Sequence, residues 1–177
     1  WDGTGTGRSS SWHAFLLDDL DASPGSLIRG WRARLAASPL VAGSFEALWR
    51  CFTPLVARCP NARGLVHADL LNHNVLARDG RITAVLDWGS SLYGDPLWDL
   101  ARFSFYEPWY PEFTRVGLVE RLLEDFAADP AADTTDLEVR LRCYQLAIGL
   151  DSIAYNAWRG DWPNAEQAAA RAAALAE

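Results

Sequence analysis

A chain of 177 residues, half of them apolar and nine of them Trp, can bury the core of one folded domain and does not read as disordered. Its net charge of −7 argues against nucleic acid as a partner, because phosphate backbones require clustered cations. No apolar run reaches the ~18 residues that span a bilayer and no basic-then-apolar segment opens the sequence, while three Cys without CxxC spacing suit free thiols in a reducing cytoplasm.

The first residues are Gly-rich, Gly3-Thr4-Gly5-Thr6-Gly7. No strand precedes this run and no Gly-Lys-Ser/Thr follows it, so it reads as a linker or surface loop and not as a phosphate cradle. Ser9 to Leu20 is expected to be a helix, with Trp12, Phe15, Leu16 and Leu20 on one face. After Asp18, Asp19 and Asp21 the pattern breaks, and Pro24 suits the first turn of a second helix carrying Leu27, Ile28, Trp31 and Leu35. Ser38-Pro39 reads as another break. Ser44 is expected to cap a third helix to about Arg58, kinked at Pro54.

Residues 65–99 are the most informative stretch. Leu65-Val66 reads as a short strand, His67 to Asn74 as a polar loop, and Val75 to Ala77 as a second strand. Asp79-Gly80 is a hairpin turn signal before a third strand from Ile82 to Leu86, ending on Asp87. Such a hairpin brings Asp69 and Asn74 towards Asp87. An Asp can orient an acceptor hydroxyl, a carboxamide offers a neutral oxygen, and a second Asp supplies the hard anionic oxygen that Mg²⁺ prefers. His-x-Asp-x-x-x-x-Asn followed by Asp on the next hairpin arm is the arrangement of kinase-like phosphotransferases.

Ser90 to Gly94 reads as a loop, and Asp95-Pro96 opens a helix to about Tyr106 with Asp99 in its first turn. Glu107-Pro108-Trp109-Tyr110-Pro111 cannot continue it. Phe113 to Ala127 is expected as one amphipathic helix, Asp136 to Arg159 as a long one ended by Gly160, and Asn164 to Ala176 as an Ala-rich closing helix. Asp151 stands in a mostly apolar part of the long helix, where a charge needs a partner or water. His13, His67 and His73 show no zinc-ligand spacing, and no Gly-x-Ser-x-Gly marks a hydrolase nucleophile.

His67-x-Asp69-x-x-x-x-Asn74, then Leu86-Asp87-Trp88, then Gly94-Asp95-Pro96-x-x-Asp99-Leu100-Ala101 resembles the aminoglycoside phosphotransferase family. Ala68, Trp88 and Ile148-Gly149-Leu150-Asp151 are most similar to its hygromycin B phosphotransferase branch. The resemblance is strong over 64–106 and weaker over nearly the whole chain. It implies a mainly α fold with a small β-hairpin sheet, the C-lobe of a kinase-like enzyme, with 1–10 as interlobe linker and 113–177 as a helical acceptor-side region of one domain. The sequence has no Lys and no Met. The N-lobe Lys that pairs with nucleotide phosphates is therefore expected on a missing N-lobe of the same protein; a naturally lobe-less protein is the alternative.

The activity so implied is transfer of the ATP γ-phosphate (GTP not excluded) to a hydroxyl of an aminoglycoside-type antibiotic, a small cationic acceptor. Asp69 takes the role of base or orienter, Asn74 and Asp87 hold Mg²⁺, and His67, Asp95 and Asp99 support the loop. Glu107, Trp109 and Asp151 are expected on the acceptor side, because the acidic excess lies after residue 110. Kinases of other small alcohols (choline, macrolide, homoserine or fructosamine type) share the motif, and a non-catalytic binding module is a third possibility.

Overall fold

The computed structural model describes residues 9–18 and 26–177. The Gly-rich run at 1–8, most of the expected 1–10 linker, and the break at 19–25 with Pro24 lie outside the described residues.

The fold is mainly helical, with two small antiparallel sheets. The first helix, α1 (Trp12–Leu16), is shorter than expected and starts where the Ser11 hydroxyl accepts the Ala14 N–H. Gly30, at φ 83°, precedes α2 (Trp31–Leu35). Ser38-Pro39 does not break a helix but begins one: α3 (Pro39–Val56) has Pro39 at its first position, where no intrahelical N–H bond is lost. Ser44, expected as the cap, lies inside α3 and donates its hydroxyl to the Leu40 carbonyl at 3.1 Å.

Two ribbons follow. β1 (Gly64–Val66) pairs with β4 (Leu92–Gly94), with Val66 opposite Leu92. Ser90 to Gly94, expected as loop, instead close a 3₁₀ turn that starts at Trp88 and supply the strand β4. β2 (Val75–Arg78) and β3 (Arg81–Val85) form the expected hairpin. Asp79 and Gly80, at φ 52° and 73°, supply the left-handed pair that a two-residue hairpin turn requires.

α4 (Leu97–Tyr106) runs into a 3₁₀ turn at Glu107–Trp109. The helix expected over Phe113 to Ala127 is two, α5 (Pro111–Val116) and α6 (Leu118–Ala128), divided by Gly117 at φ 58°. α7 (Leu137–Arg159) ends at Gly160, and α8 (Trp162–Ala176) starts two residues before Asn164, capped by Asp161.

α7 is the axis of the core and packs against α2, α3, α4 and α8. Its inner face buries Tyr144, Leu146, Ile148, Ile153 and Ala157. Buried alanines on α8 (Ala165, Ala168, Ala169, Ala172) let the two helices approach closely. Gly149 is where they touch hardest. A Cβ there would lie 2.7 Å from the Ala172 Cβ and 3.1 Å from the Phe105 ring of α4. No helix of the described residues is long and apolar enough to cross a membrane.

Candidate active site

α4 carries the site, and it is fixed to the core before it reaches the loop. At its start, Asp95 is 1 % exposed and accepts Arg140 Nε at 2.9 Å, Arg140 Nη2 at 2.7 Å and the Tyr144 hydroxyl at 2.7 Å. It also accepts the Leu97 N–H at 3.1 Å, so Asp95, expected as the cap, stands one residue before the N-cap Pro96 and still holds the first N–H of α4. Arg140 spends its third nitrogen on the Asp133 and Thr135 carbonyls. A buried ion pair is tolerable only when its members are satisfied in this way. At the other end, Arg171 of α8 donates to the Ser104 and Phe105 carbonyls, closing the last turn of α4.

One turn into α4, Asp99 faces the loop after β1. Its Oδ2 accepts the His67 N–H and its Oδ1 the Ala68 N–H, both at 2.8 Å. Burial raises the Asp99 carboxyl pKa, opposed by these two N–H groups and by the Arg102 charge. The His67 ring is fixed from two sides. Nε2 lies 2.8 Å from the Leu86 carbonyl, which can only accept, and Nδ1 receives the Asp69 N–H at 3.2 Å. The ring is thus the Nε2–H tautomer. It ties the loop to the residue before Asp87 and packs against Trp88.

Asn74, buried at the end of the loop, donates its carboxamide nitrogen to the Asp69 carbonyl at 2.8 Å and approaches Asp69 Oδ2 at 3.4 Å. The reverse orientation would set oxygen against oxygen, so the carboxamide oxygen is the free end. Its backbone carbonyl accepts the Leu86 N–H at 2.8 Å, which brings Asn74 alongside the residue preceding Asp87. Asp87 is left-handed (φ 57°, ψ 59°), and among the described residues no protein donor engages its carboxylate. Two hard oxygens without protein partners fit Mg²⁺, which keeps waters and substrate phosphates as its other ligands. They do not fit an all-protein cage: among the described residues no three His, Cys, Asp or Glu converge.

Asp69 opens onto a cleft of about 1040 Å³. Trp109 and Asp151 line it with Asp69, as do Tyr106, Tyr110 and Tyr155. Glu107 is not among its lining residues; its charge acts on Arg171. Asp151 is reached by solvent within the cleft, yet protein surrounds it closely enough to raise its pKa by desolvation, with the Arg102 charge opposing. Of the acidic residues after position 110, Asp151 alone lines this cleft. The acidic third of the sequence is therefore mostly turned elsewhere; Asp136, for example, pairs with Arg58 at 2.6 Å.

A family model described as "Phosphotransferase enzyme family" matches residues 7–138. This chain belongs to the phosphotransferase enzyme family. Hygromycin-B 4-O-kinase of Escherichia coli is 38 % identical over 118 residues, 66 % of this chain and 32 % of that protein. Acyl-CoA dehydrogenase family member 11 of Mus musculus is 31 % identical over 125 residues, 59 % of this chain and 16 % of that protein. A thermostable mutant of aminoglycoside phosphotransferase APH(4)-Ia, solved as a ternary complex with AMP-PNP and hygromycin B, superposes with TM-score 0.73 at 29 % identity. That match covers 94 % of this chain and 52 % of the other. This phosphotransferase-family chain thus spans about a third of the hygromycin kinase and about half of the solved APH(4)-Ia chain.

One residue of this phosphotransferase-family site escaped the sequence reading. Arg102 of α4 donates Nη2 to Asp69 Oδ1 at 2.6 Å and lies over the Tyr106 ring, its carbon 5.3 Å from the centroid. An Arg in an amphipathic helix reads as a solvated charge. The available signal was its spacing, three residues after Asp99 and so on the same side of the helix.

Proposed function

We propose that this chain is the acceptor-binding, C-lobe half of an ATP-dependent phosphotransferase acting on a hydroxyl of an aminoglycoside-type antibiotic, a resistance activity. The observation that carries the reading is the Asn74 carboxamide: its nitrogen is tied to the Asp69 carbonyl, which leaves its oxygen free beside the hairpin end that bears Asp87. The hygromycin kinase relative and the nucleotide and hygromycin B in the similar solved complex support the same reading.

In this reading Asp69 accepts the proton of the acceptor hydroxyl through a carboxylate oxygen and aims it along the line of transfer. Asn74 and Asp87 hold Mg²⁺, which when bound neutralises charge on the phosphates. His67 and Asp99 keep the loop in shape, and Trp109 and Asp151 wall the acceptor. Positioning and charge neutralisation supply most of the rate, because the transition state is loose. The N-lobe Lys lies on the other half of the enzyme.

The test is transfer of γ-labelled phosphate from ATP, with GTP in parallel, to hygromycin B by the protein expressed from its full reading frame. Transfer should need Mg²⁺ and stop with EDTA. Absence of transfer to hygromycin B and to other aminoglycosides would exclude the reading. The aromatic lining of the cleft favours a second reading, a kinase of a quaternary-ammonium alcohol such as choline, held by Trp109 and Tyr110. Choline phosphorylation at higher kcat/KM than any aminoglycoside would establish it.

A further inference from the structure

The Arg102 guanidinium is only partly used by the protein. Nη2 goes to Asp69, Nε is enclosed with no acceptor, and no acceptor among the described residues takes Nη1. Nε is closed off from solvent, so the donor left for a ligand oxygen in the cleft is Nη1. The side chain is 18 % exposed and lines the cleft beside Asp69, Tyr106 and Asp151. Its neighbour Asp69 is the group proposed above to orient the acceptor. A spare N–H donor at this point pairs with an oxygen, which can accept, and not with an ammonium group, which cannot.

We propose that Arg102 is a positioning and specificity-determining residue on the acceptor side: it steadies Asp69 through Oδ1 and takes, on its spare N–H groups, an acceptor oxygen adjacent to the hydroxyl that reacts. The inference rests on the phosphotransferase reading and adds an acceptor class to it. The preferred acceptor is a polyhydroxylated ring whose reacting hydroxyl has an oxygen, not an ammonium, on the neighbouring carbon. Any ammonium groups lie farther away, within reach of Asp151. Arg102 takes no proton and forms no bond to phosphorus; it acts by placing Asp69 and the acceptor.

The experiment compares matched acceptors, methyl glucoside and methyl glucosaminide, which differ in one vicinal group, using the protein from its full reading frame with Mg²⁺ and ATP. The wild type should favour the diol. Arg102→Gln should lower kcat/KM for the diol by roughly ten- to a hundredfold, the scale of a lost charge-assisted hydrogen bond, and bring the diol-to-amine ratio towards one. KM for ATP should not move. Arg102→Lys should restore the discrimination against the amine without restoring the full rate. If both acceptors lose rate equally in Arg102→Gln and the ratio holds, Arg102 does no more than brace the loop and the proposal fails. If Arg102→Gln does not fold, a wild type that favours the amine overturns the proposal by itself. A wild type that phosphorylates no hydroxyl acceptor, hygromycin B included, overturns the phosphotransferase reading and this inference with it.

Discussion

Asp99 Oδ1 accepts the backbone N–H of Ala68 at 2.8 Å, and Ala68 is held at φ 64°. A non-glycine residue in the left-handed region costs about 1–2 kcal/mol. It persists only where the surroundings fix it. Asp99 does so with a carboxylate that bridges two successive N–H groups, and the turn thus made carries Asp69 towards the cleft.

Asp99→Asn should therefore cost more than an ordinary surface change. The amide offers one oxygen where the carboxylate offered two, so one loop N–H loses its acceptor. Urea unfolding should show a loss of about 1–3 kcal/mol. Ala68→Gly should come out near neutral, since relief of the left-handed backbone offsets the added freedom of the unfolded chain. Ala68→Val should destabilise.

Asp69→Asn keeps the shape of the loop but removes the anionic acceptor and leaves Arg102 with a neutral partner in place of a charged one. Under the proposed function kcat should fall by roughly 10²–10⁴-fold, with KM for ATP little changed. Near-normal turnover in this variant would exclude Asp69 as the orienting group.

Arg140→Met tests the anchor of α4. It strands the buried Asp95 carboxylate, and breaking a buried pair in this way costs about 3–5 kcal/mol. The solvent-facing Arg58–Asp136 pair is as short, 2.6 Å against 2.7 Å, but leaves the Arg side chain 54 % exposed. Arg58→Met should shift the thermal midpoint far less. Equal shifts in the two variants would show that burial does not set the difference.

The Asp151 carboxyl has a raised pKa in the fold because of desolvation. A carboxyl raised above its unfolded value contributes stability that is present below the unfolded pKa and is lost as pH rises through the folded one. Asp151→Asn has no such loss. The variant should match the wild type in stability under acid conditions and exceed it near neutral pH, read from thermal midpoints across a pH series. Under the proposed function the same substitution raises KM for the aminoglycoside and leaves ATP affinity alone. A KM shift confined to ATP would place Asp151 on the wrong side of the chemistry.

The loop and hairpin were legible because their determinants are local. Asp79-Gly80 dictates its own turn, and His67, Asp69 and Asn74 lie on eight consecutive residues. The strand β4 was not, because its three residues gain strand geometry only from β1, more than twenty residues upstream. Ser38-Pro39 illustrates an ambiguity of chemistry: the pair that stops one helix is also well suited to start the next, and Val41 extends the apolar stripe of α3 backwards from Phe45. Gly117 divides α5 from α6 where periodicity ran on unbroken. Arg102 was invisible for the reason that makes it interesting. Its partner Asp69 is 33 residues away, and only its spacing from Asp99 along α4 pointed towards the loop.

The fixing of α4 at both ends has a consequence for hydrogen exchange. The amides of His67 and Ala68 belong to no helix or strand ladder, and loop amides ordinarily exchange by small local openings. Here their acceptor is a carboxylate on a helix locked to α7 by Arg140 and to α8 by Arg171. These two loop protons should be released only when the helical core itself opens, with protection close to that of the α7 amides. The slowest-exchanging loop protons of the molecule would then mark the place where the proposed chemistry is held.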